Sequence, residues 1–344
     1  MHIGLPKEIK DGEYRVALTP EGVAALVRAG HALSVEPGAG TECGFADEDY
    51  ERAGARLGDP WAAELVVKVK ELQPAERRKP RRDQTVFCFQ HFAPDPGLLD
   101  AALASGATYI AFETVGEAGG SLPILKPMSR IAGRLAVQVG AWCLQKHNGG
   151  SGVLLPGVEG VPPGKVVILG AGSVGANALA VAHGLGAEVG VYEKSGARLP
   201  ALRQRYPDVR FSTAAPEIAD ADLVIGAVLV PGSLSPKLIS RDMLRRMRRG
   251  SALVDVGIDQ GGIAETSRPT KHSAPIYVEE GVVHYCVPNM PAACARTASL
   301  ALERAVLPYA LKLASREAHP DLETGLQVRA GKVVHAQLAR DTGR

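Results

Sequence analysis

Short apolar runs alternate with longer amphipathic stretches along the middle of the chain. The runs cover residues 166–169, 188–192, 222–227 and 252–256, and spacers of helical length separate them. Strands that alternate with helices are typical of parallel βαβ units with right-handed crossovers. This region therefore predicts an α/β domain built on a parallel sheet.

The first 126 residues show a similar alternation with shorter elements. The pattern predicts one helix and two strands, over residues 19–29, 64–70 and 85–89. Thr19 is the expected N-cap of the helix, with Pro20 in its first turn. Alternation in the first strand places Lys68 and Lys70 on one face.

The remaining segments predict mostly helix. Two long helices are expected, over residues 129–146 and about 297–315, followed by strands at 326–328 and 332–334. Those two strands would form a hairpin that turns at Ala330-Gly331, because glycine permits the backbone conformation of a tight turn.

Length and composition indicate an ordinary folded protein with two domains. The chain has 344 residues, 46% hydrophobic and 22% charged, with a formal net charge of +2. At roughly 150 residues per domain, two cores are expected. The balance argues against a disordered chain and gives no overall attraction to nucleic acid or to an anionic membrane. We interpret the basic run at 76–82 as a solvated loop, because no aromatic residues interleave it.

Cysteine and histidine usage favours neither disulfides nor metal. The five cysteines form no C-x-x-C pair, and no two histidines have ligand spacing. A reduced, cytoplasmic setting is expected, without a signal peptide, since the N-terminus has no apolar segment. The most apolar stretch, 166–182, is interrupted by three glycines and an asparagine, so no membrane span is expected.

The most specific motif is Gly170-Ala171-Gly172-Ser173-Val174-Gly175, which lies between a predicted strand and a predicted helix. In a Rossmann fold the first glycine makes a tight turn and the second lets the backbone approach a pyrophosphate. The third glycine lets the helix pack on the strand. The pyrophosphate would then meet the N–H groups of the helix N-terminus. The alternative is a glycine-rich turn in a domain without cofactor.

An acidic residue accompanies this motif at the expected distance. Glu193 ends the next predicted strand, 18 residues beyond Gly175. A carboxylate there can accept both ribose hydroxyls of NAD and would repel the 2′-phosphate of NADP. Lys194 and Arg198 follow closely and could tolerate that phosphate, so NAD is favoured without NADP being excluded. A helix cap is the alternative role for Glu193.

Several further motifs follow one another along the chain. They are Gly4-Leu5-Pro6-Lys7-Glu8, Arg15-Val16-Ala17-Leu18-Thr19-Pro20, Lys68-Val69-Lys70-Glu71, Glu113-Thr114-Val115, Ala132-Gly133-Arg134, residues 222–228 with Pro231-Gly232, Asp259-Gln260-Gly261-Gly262 and Asn289-Met290-Pro291. In this order and spacing they resemble the family shared by alanine dehydrogenases and the α subunit of proton-translocating nicotinamide nucleotide transhydrogenase. The resemblance covers nearly the whole chain. It is stronger to the dehydrogenases, because the Asp259 motif and Glu193 belong to their pattern.

The resemblance implies a reaction and a role for individual residues. It implies NAD-dependent, reversible deamination of a small L-amino acid, alanine first, to a 2-oxo acid and ammonium. Arg15 and Lys70 would bind the carboxylate and carbonyl of the 2-oxo acid, His91 would be the acid/base group, and Asp259 would handle the amine. The remaining implied positions are Asn289 and Met290 near the substrate, and Ser129, Gly170, Gly172, Ser173, Val174, Gly175, Glu193, Val228 and Leu229 along the cofactor.

The residue types suit this chemistry, although each has a structural alternative. Arg15 and Lys70 supply fixed positive charge for a carboxylate, and a histidine such as His91 is the residue type suited to proton transfer near neutral pH. The carboxylate of Asp259 would stabilise a cationic iminium. Taken singly, they could equally be a surface arginine, a solvated strand lysine, a loop histidine and a turn-forming aspartate.

A few positions depart from the family pattern. Leu72 follows Glu71 where proline is usual, Phe112 replaces a common tyrosine, and Pro288 replaces alanine. Arg130 occupies a position that is usually glutamate, and Lys126 one that is usually small or polar. Because these two changes add positive charge, one hypothesis is a 2-oxo acid with a second anionic group. The alternative is that both side chains face solvent or a subunit interface.

The resemblance also implies an architecture. We expect a discontinuous substrate domain of residues 1–127 and 290–344, and a Rossmann domain of residues 128–289, with a cleft that closes on the substrate. A homo-oligomer, typically a hexamer, is implied. Two rival functions are a transhydrogenase-like subunit that docks to a membrane partner and an NAD-sensing protein without catalysis. The absence of a hydrophobic extension after Arg344 counts against the first, and the presence of all four candidate residues counts against the second.

Overall fold

The computed structural model describes residues 1–214, 216–228 and 235–344. Its contacts divide the chain into two units. Unit 1 comprises Met1–Met128 together with Ala292–Arg344, and unit 2 comprises Ser129–Pro291. These boundaries lie one and two residues from those expected from the sequence. Both units are α/β and the chain is built on two separate sheets, so the expected fold class is confirmed.

Within the described ranges, strands and helices are numbered in chain order. The strands are β1 (His2–Leu5), β2 (Ala32–Val35), β3 (Arg56–Leu57), β4 (Leu65–Val67), β5 (Thr85–Cys88), β6 (Thr108–Ala111), β7 (Lys165–Leu169), β8 (Glu188–Tyr192), β9 (Arg210–Ser212), β10 (Leu223–Gly226), β11 (Ala252–Asp255), β12 (Ile276–Glu279), β13 (Val282–Tyr285), β14 (Leu326–Arg329) and β15 (Lys332–Val333). The helices are α1 (Pro20–Arg28), α2 (Asp47–Arg52), α3 (Pro96–Ser105), α4 (Leu125–Cys143), α5 (Ser173–Gly184), α6 (Leu199–Arg205), α7 (Arg241–Arg245), α8 (Ala295–Ala314), α9 (Pro320–Gly325) and α10 (Ala336–Thr342).

Unit 1 is built on a mixed eight-stranded sheet in the order β15-β14-β6-β5-β4-β1-β2-β3. Strands β1 to β6 are parallel, and the C-terminal pair β14 and β15 adds an antiparallel edge. The predicted hairpin is confirmed, with Ala330 and Gly331 at φ 50° and 77° in its turn. On one face of the sheet, Leu98 and Leu99 of α3 join Val86 and Tyr109 in a buried apolar cluster.

Unit 2 is built on a seven-stranded sheet in the order β12-β13-β11-β10-β7-β8-β9. All its strands are parallel except β12. Strand β7 pairs with β8 on one side and β10 on the other, so the direction of winding reverses there. Open α/β sheets bind ligands at such a switch point, outside the carboxyl ends of the strands. The glycine motif begins at the residue after β7.

The strand predicted over residues 64–70, which included Lys68 and Lys70, is shorter than expected. Strand β4 ends at Val67, so Lys68 and Lys70 follow the strand and do not share a strand face. Both side chains are buried, which contradicts the solvated alternative for Lys70. The ammonium of Lys68 lies 3.1 Å from Glu8 and 3.3 Å from Glu76. Alternation could not predict this, because partners distant in sequence make burial of the charge tolerable.

Two helix ends also differ from expectation. Thr19 is the N-cap of α1, but its side chain makes no capping hydrogen bond there. The buried carboxylate of Glu303 instead accepts hydrogen bonds from the backbone N–H groups of Thr19 and Gly22. Helix α4 begins at Leu125, four residues before the predicted start, and ends at Cys143. Ser129 and Arg130 are therefore inside α4.

Candidate active site

The glycine motif forms the turn between β7 and α5. Gly170 has φ 101°, a conformation that side chains disfavour. A Cβ on Gly175 would overlap the carbonyl oxygen of Gly170, so this glycine is required for packing of the helix against the turn. A Cβ on Gly172 would meet nothing within 4 Å. The protein itself therefore does not require the second glycine, which leaves the approach of a ligand as its reason.

The N-terminus of α5 points its free N–H groups at this loop. Ser173 is the first helical residue and is exposed, and Gly172 is the N-cap without a side-chain cap. Val174 is packed against α4, because a Cβ on Gly133 would overlap the Val174 carbonyl. Ser129 is a half-buried residue of α4.

The expected residues after β10 are only partly described. Val228 is half-buried and packs on the apolar cluster of the sheet. Leu229, the other expected cofactor residue here, lies outside the described residues, as does the Pro231-Gly232 part of the motif.

Glu193 follows β8 directly and is bound to the glycine loop. One carboxylate oxygen accepts the N–H of Ala171 at 2.7 Å, and the other accepts the N–H of Ser195 at 2.8 Å. Arg198 also approaches the first oxygen at 3.4 Å. Burial opposes ionisation of Glu193, but these hydrogen bonds and the Arg198 charge outweigh it and lower its pKa. The group is thus an ionised acceptor fixed against the loop.

Asp259 lies in a short 3-10 helix, Val256–Gln260, which follows β11, and its side chain is exposed. The next residues are held by Lys237, whose ammonium donates to the carbonyls of Gly261 (2.6 Å), Gly262 (3.0 Å) and Ala264 (3.0 Å). The buried carboxylate of Asp255 accepts the N–H of Ile263 at 2.7 Å. The segment that follows Asp259 is therefore fixed by side chains from outside it.

Asn289 and Met290 lie near the end of unit 2. Asn289 has φ 59°, the left-handed conformation that asparagine tolerates better than most residues. Met290 is buried and begins a 3-10 helix, Met290–Cys294.

Arg15, in unit 1, is almost fully buried and tied to a neighbouring carboxylate. Its Nε and Nη2 donate to the two oxygens of Glu13 at 2.7 and 2.6 Å, and its Nη1 lies 3.1 Å from the Met128 sulfur. This burial excludes the surface alternative. The Arg15 guanidinium, which was expected to bind a substrate carboxylate, thus makes a bidentate contact with Glu13 through one of its edges.

Lys70 is a buried cation beside an aromatic ring. Its ammonium lies 5.5 Å from the centre of the Phe89 ring, and among the described residues no carboxylate forms a salt bridge with it. Burial and the nearby charge of Arg15 lower its pKa. A buried ammonium without a carboxylate partner is costly, and an anionic ligand would relieve that cost.

His91 contacts the same ring. Its imidazole stacks on Phe89 at 5.8 Å with an interplanar angle of 6°, and its Nδ1 lies 2.8 Å from Glu71 Oε2. The second oxygen of Glu71 pairs with Lys10. Lys70 and His91 therefore share one platform, and Phe112 packs edge-on against it.

The His91 backbone has φ 47°, which is rare for a residue with a side chain. The carboxylate of Glu113 accepts the N–H groups of Gln90 (3.1 Å) and His91 (2.8 Å) and holds this conformation. Such strain persists only when surrounding contacts enforce it, and it concentrates at functional sites.

Sequence reasoning missed the carboxylates that orient the candidates, namely Glu13, Glu71 and Glu113. Glu71 and Glu113 lie inside family motifs, so their positions were visible, but their roles were not. Glu71 and His91 are 20 residues apart, and no local pattern links them.

The two basic residues that depart from the family pattern, Lys126 and Arg130, are both exposed on α4.

The described ranges contain neither a membrane-spanning helix nor a metal-binding cluster. No helix there is long and apolar enough to cross a membrane. Nor do those ranges contain a group of three or more histidine, cysteine or acidic side chains that could hold a metal ion.

The fold and the glycine loop define a dinucleotide-binding protein with a second α/β unit, and comparison with known proteins identifies its family. The model of the N-terminal domain of alanine dehydrogenase/PNT matches residues 4–132, and that of the C-terminal domain matches residues 136–336. The chain belongs to the alanine dehydrogenase/PNT family.

Similar proteins cover the chain from end to end. Alanine dehydrogenase of Halomonas elongata is 50% identical over 100% of this chain and 97% of its own length, and that of Bacillus subtilis is 46% identical over 100% and 95%. A solved L-alanine dehydrogenase superposes with a TM-score of 0.97 at 47% identity, covering 100% of this chain and 99% of its own. A transhydrogenase from Sinorhizobium meliloti gives 0.86 at 27% identity, covering 98% and 99%.

Proposed function

We propose that this chain catalyses the reversible, NAD-dependent oxidative deamination of L-alanine to pyruvate and ammonium. The relatives named alanine dehydrogenase, 44–50% identical over nearly their whole lengths, support this reaction. The observation that carries it is the Phe89 platform. A buried ammonium that forms no salt bridge within the described residues and an oriented imidazole both contact this ring, and a small 2-oxo acid needs a cation and an acid/base group.

The residues around the glycine loop fit a dinucleotide. Gly172 leaves open space, Ser173 and Val174 begin a helix with free N–H groups, and Glu193 presents an ionised carboxylate. These residues, with Ser129 and Val228, would hold NAD. Bound NAD supplies the two-electron acceptor for the amino acid. Glu193 favours NAD over NADP, because its charge would repel a 2′-phosphate.

Lys70 and Arg15 would bind the carboxylate and carbonyl oxygens of the 2-oxo acid. Their positive charges offset the substrate charge, and because both side chains are buried, water screens this attraction little. Asn289 and Met290 would lie near the reacting carbon, and the Asp259 carboxylate would stabilise the cationic iminium. His91 would move the proton between water and the amine.

The setting and assembly extend this proposal. We propose a cytoplasmic homo-oligomer, in line with the family resemblance. The free cysteines, four of them buried, suit a reducing compartment. Light scattering of the purified protein measures the assembly directly, and a monomer at all concentrations would contradict it.

The test of function is NADH oxidation by the purified protein with ammonium and a panel of 2-oxo acids. The panel contains pyruvate, glyoxylate, 2-oxobutyrate, oxaloacetate and phosphonopyruvate, with a control lacking ammonium. We expect pyruvate to give the highest kcat/KM and no oxidation without ammonium. Turnover of none of the acids would contradict the proposal and leave an NAD-binding protein.

The same panel tests the hypothesis of a second anionic group. Lys126 and Arg130 are exposed, so burial does not assign them to a substrate pocket. The relatives named alanine dehydrogenase favour alanine as the substrate. If a dianionic acid leads by tenfold, about 1.4 kcal/mol in the transition state, the pocket is specialised for it. Arg130→Glu should then remove that preference, and an unchanged ratio would exclude Arg130 as its cause.

A further inference from the structure

Glu71 connects a cation to the imidazole of His91. Its Oε2 lies 2.8 Å from His91 Nδ1, and its Oε1 pairs with the ammonium of Lys10. The Glu71 side chain is 13% exposed and that of His91 is 40% exposed. The carboxylate is thus well shielded, while the ring keeps one edge open.

The charge state of Glu71 determines which atom carries the proton in this contact. Burial opposes its ionisation, but the hydrogen bonds from His91 and Lys10 and the charges of His91 and Lys70 outweigh it and hold its pKa well below the usual range. An ionised carboxylate can only accept hydrogen bonds. The proton in the contact therefore belongs to Nδ1 of His91.

The rest of the ring is fixed by two other contacts. Glu113 holds the His91 backbone at its positive φ, and the Phe89 ring lies parallel to the imidazole. With its plane and Nδ1 both fixed, the imidazole has only Nε2 left for exchange with a substrate. The carbon atoms of the ring cannot transfer protons.

We infer that Glu71, braced by Lys10, is a positioning residue that holds His91 as the Nδ1–H tautomer and so makes Nε2 the proton-transfer atom. This inference rests on the proposed function for its catalytic consequence, although the tautomer itself can be observed without turnover. Lys10 acts through Glu71, because it fixes the carboxylate without touching the ring.

The proton balance of the deamination step follows from this arrangement. Nε2 takes a proton from water as the water oxygen bonds to the iminium carbon, which gives a carbinolamine and an imidazolium. The imidazolium returns that proton to the amino nitrogen. The C–N bond then breaks as the hydroxyl proton passes to Nε2, so pyruvate and ammonia form, and the ammonia takes up this last proton. Glu71 stays ionised throughout and stabilises each imidazolium.

Glu71→Met tests the inference because methionine has a similar length and cannot accept the Nδ1 proton. Protein labelled with ¹⁵N-histidine is observed by NMR at a pH where the imidazole is neutral, and His91→Gln assigns the signal. We expect the proton to move from Nδ1 to Nε2 in Glu71→Met. Retention of the proton on Nδ1 would overturn the inference.

Steady-state kinetics give the second measurement. In Glu71→Met, measured at a pH where Lys70 stays charged, kcat for pyruvate amination should fall about 10–100-fold, with KM changed by less than about threefold. Glu71 is hydrogen-bonded to the ring, whereas it acts on Lys70 only through its charge. Glu71→Gln, whose amide oxygen can still accept from Nδ1, should recover part of kcat. A rise in KM without a fall in kcat, or the absence of rescue in Glu71→Gln, would indicate a merely structural role.

Lys10→Met and Lys7→Met form a matched pair in one loop. Lys7 is exposed, and it contacts Glu36 through its backbone N–H. We expect Lys10→Met to lower kcat about tenfold in wild type and to have no further effect in Glu71→Met, whereas Lys7→Met changes neither. Equal effects of Lys10→Met in both backgrounds would show that it does not act through Glu71.

The outcomes separate this inference from the proposed function. If the wild-type protein turns over no 2-oxo acid, the function fails, while the NMR result still decides the tautomer. Melting temperature and NADH fluorescence are measured on every variant, so that loss of fold is recognised as such.

Discussion

Glu8 and Lys68 form a buried ion pair that holds both backbone polar groups of Lys70. The Lys68 ammonium lies 3.1 Å from Glu8 Oε2 and donates to the Lys70 carbonyl at 3.1 Å, while Glu8 Oε1 accepts the Lys70 N–H at 3.2 Å. The pair therefore fixes the chain at the residue that we propose binds the substrate. Its two members are 60 residues apart in sequence.

Replacing Lys68 by methionine should strongly destabilise the protein. The change leaves Glu8 and Glu76 as buried carboxylates without their cation, which typically costs about 3–5 kcal/mol. Urea unfolding measures the free energy of unfolding, and Lys332→Met on an exposed lysine is the control. The double variant Glu8→Gln/Lys68→Met should be more stable than Lys68→Met alone. A loss below about 1 kcal/mol would show that the pair is not important for stability.

Binding of the 2-oxo acid should weaken as the pH rises through the pKa of Lys70. Burial and the Arg15 charge lower that pKa, so Lys70 loses its proton at a lower pH than an ordinary lysine. Affinity is then complete below this pKa and falls above it. The measurement is KM for pyruvate between about pH 7 and 10, where lysines of lowered pKa titrate.

Lys70→Arg is the matched variant for that profile. Arginine remains charged throughout this range, so it should remove the alkaline rise in KM even if its overall KM is higher. An unchanged rise in Lys70→Arg would assign the titration to another group.

Gly172→Ala and Gly175→Ala should fail in different ways. An added Cβ at 172 meets open space, so the protein should fold normally but bind NADH at least about tenfold more weakly, because the ligand needs that space. At 175 the Cβ overlaps Gly170, so stability should fall by about 1–3 kcal/mol. NADH fluorescence titration and thermal unfolding separate the two effects, with Gly184→Ala as the control at an open helix site. Normal NADH binding by Gly172→Ala would contradict the proposed cofactor site.

Glu193 and Arg198 should change cofactor preference in opposite directions. Glu193→Gln removes the charge that repels a 2′-phosphate and should lower the ratio of kcat/KM for NADH over NADPH. Arg198→Gln removes a cation 3.4 Å from Glu193 and should raise that ratio. Both ratios come from pyruvate amination under identical conditions. Shifts in the same direction would exclude discrimination by charge at this position.

The sequence by itself determined the elements whose signals are local. Strand β8 spans the predicted residues 188–192, the C-terminal hairpin turns where Ala330-Gly331 indicated, and the glycine motif lies between β7 and α5. In each case the periodicity of buried positions or the conformational demands of glycine act over a few residues. Such signals are readable without knowledge of the partner segments.

Only the tertiary structure decided how the candidate side chains are held. The pairing of Glu71 with His91 and of Glu8 with Lys68 joins segments 20 and 60 residues apart. Lys68 lies after the end of β4 and is buried, whereas the alternating pattern predicted a residue within the strand. Burial of a charge is favourable only when the fold brings a compensating group to it, and that depends on the packing of the whole unit, not on the neighbouring residues.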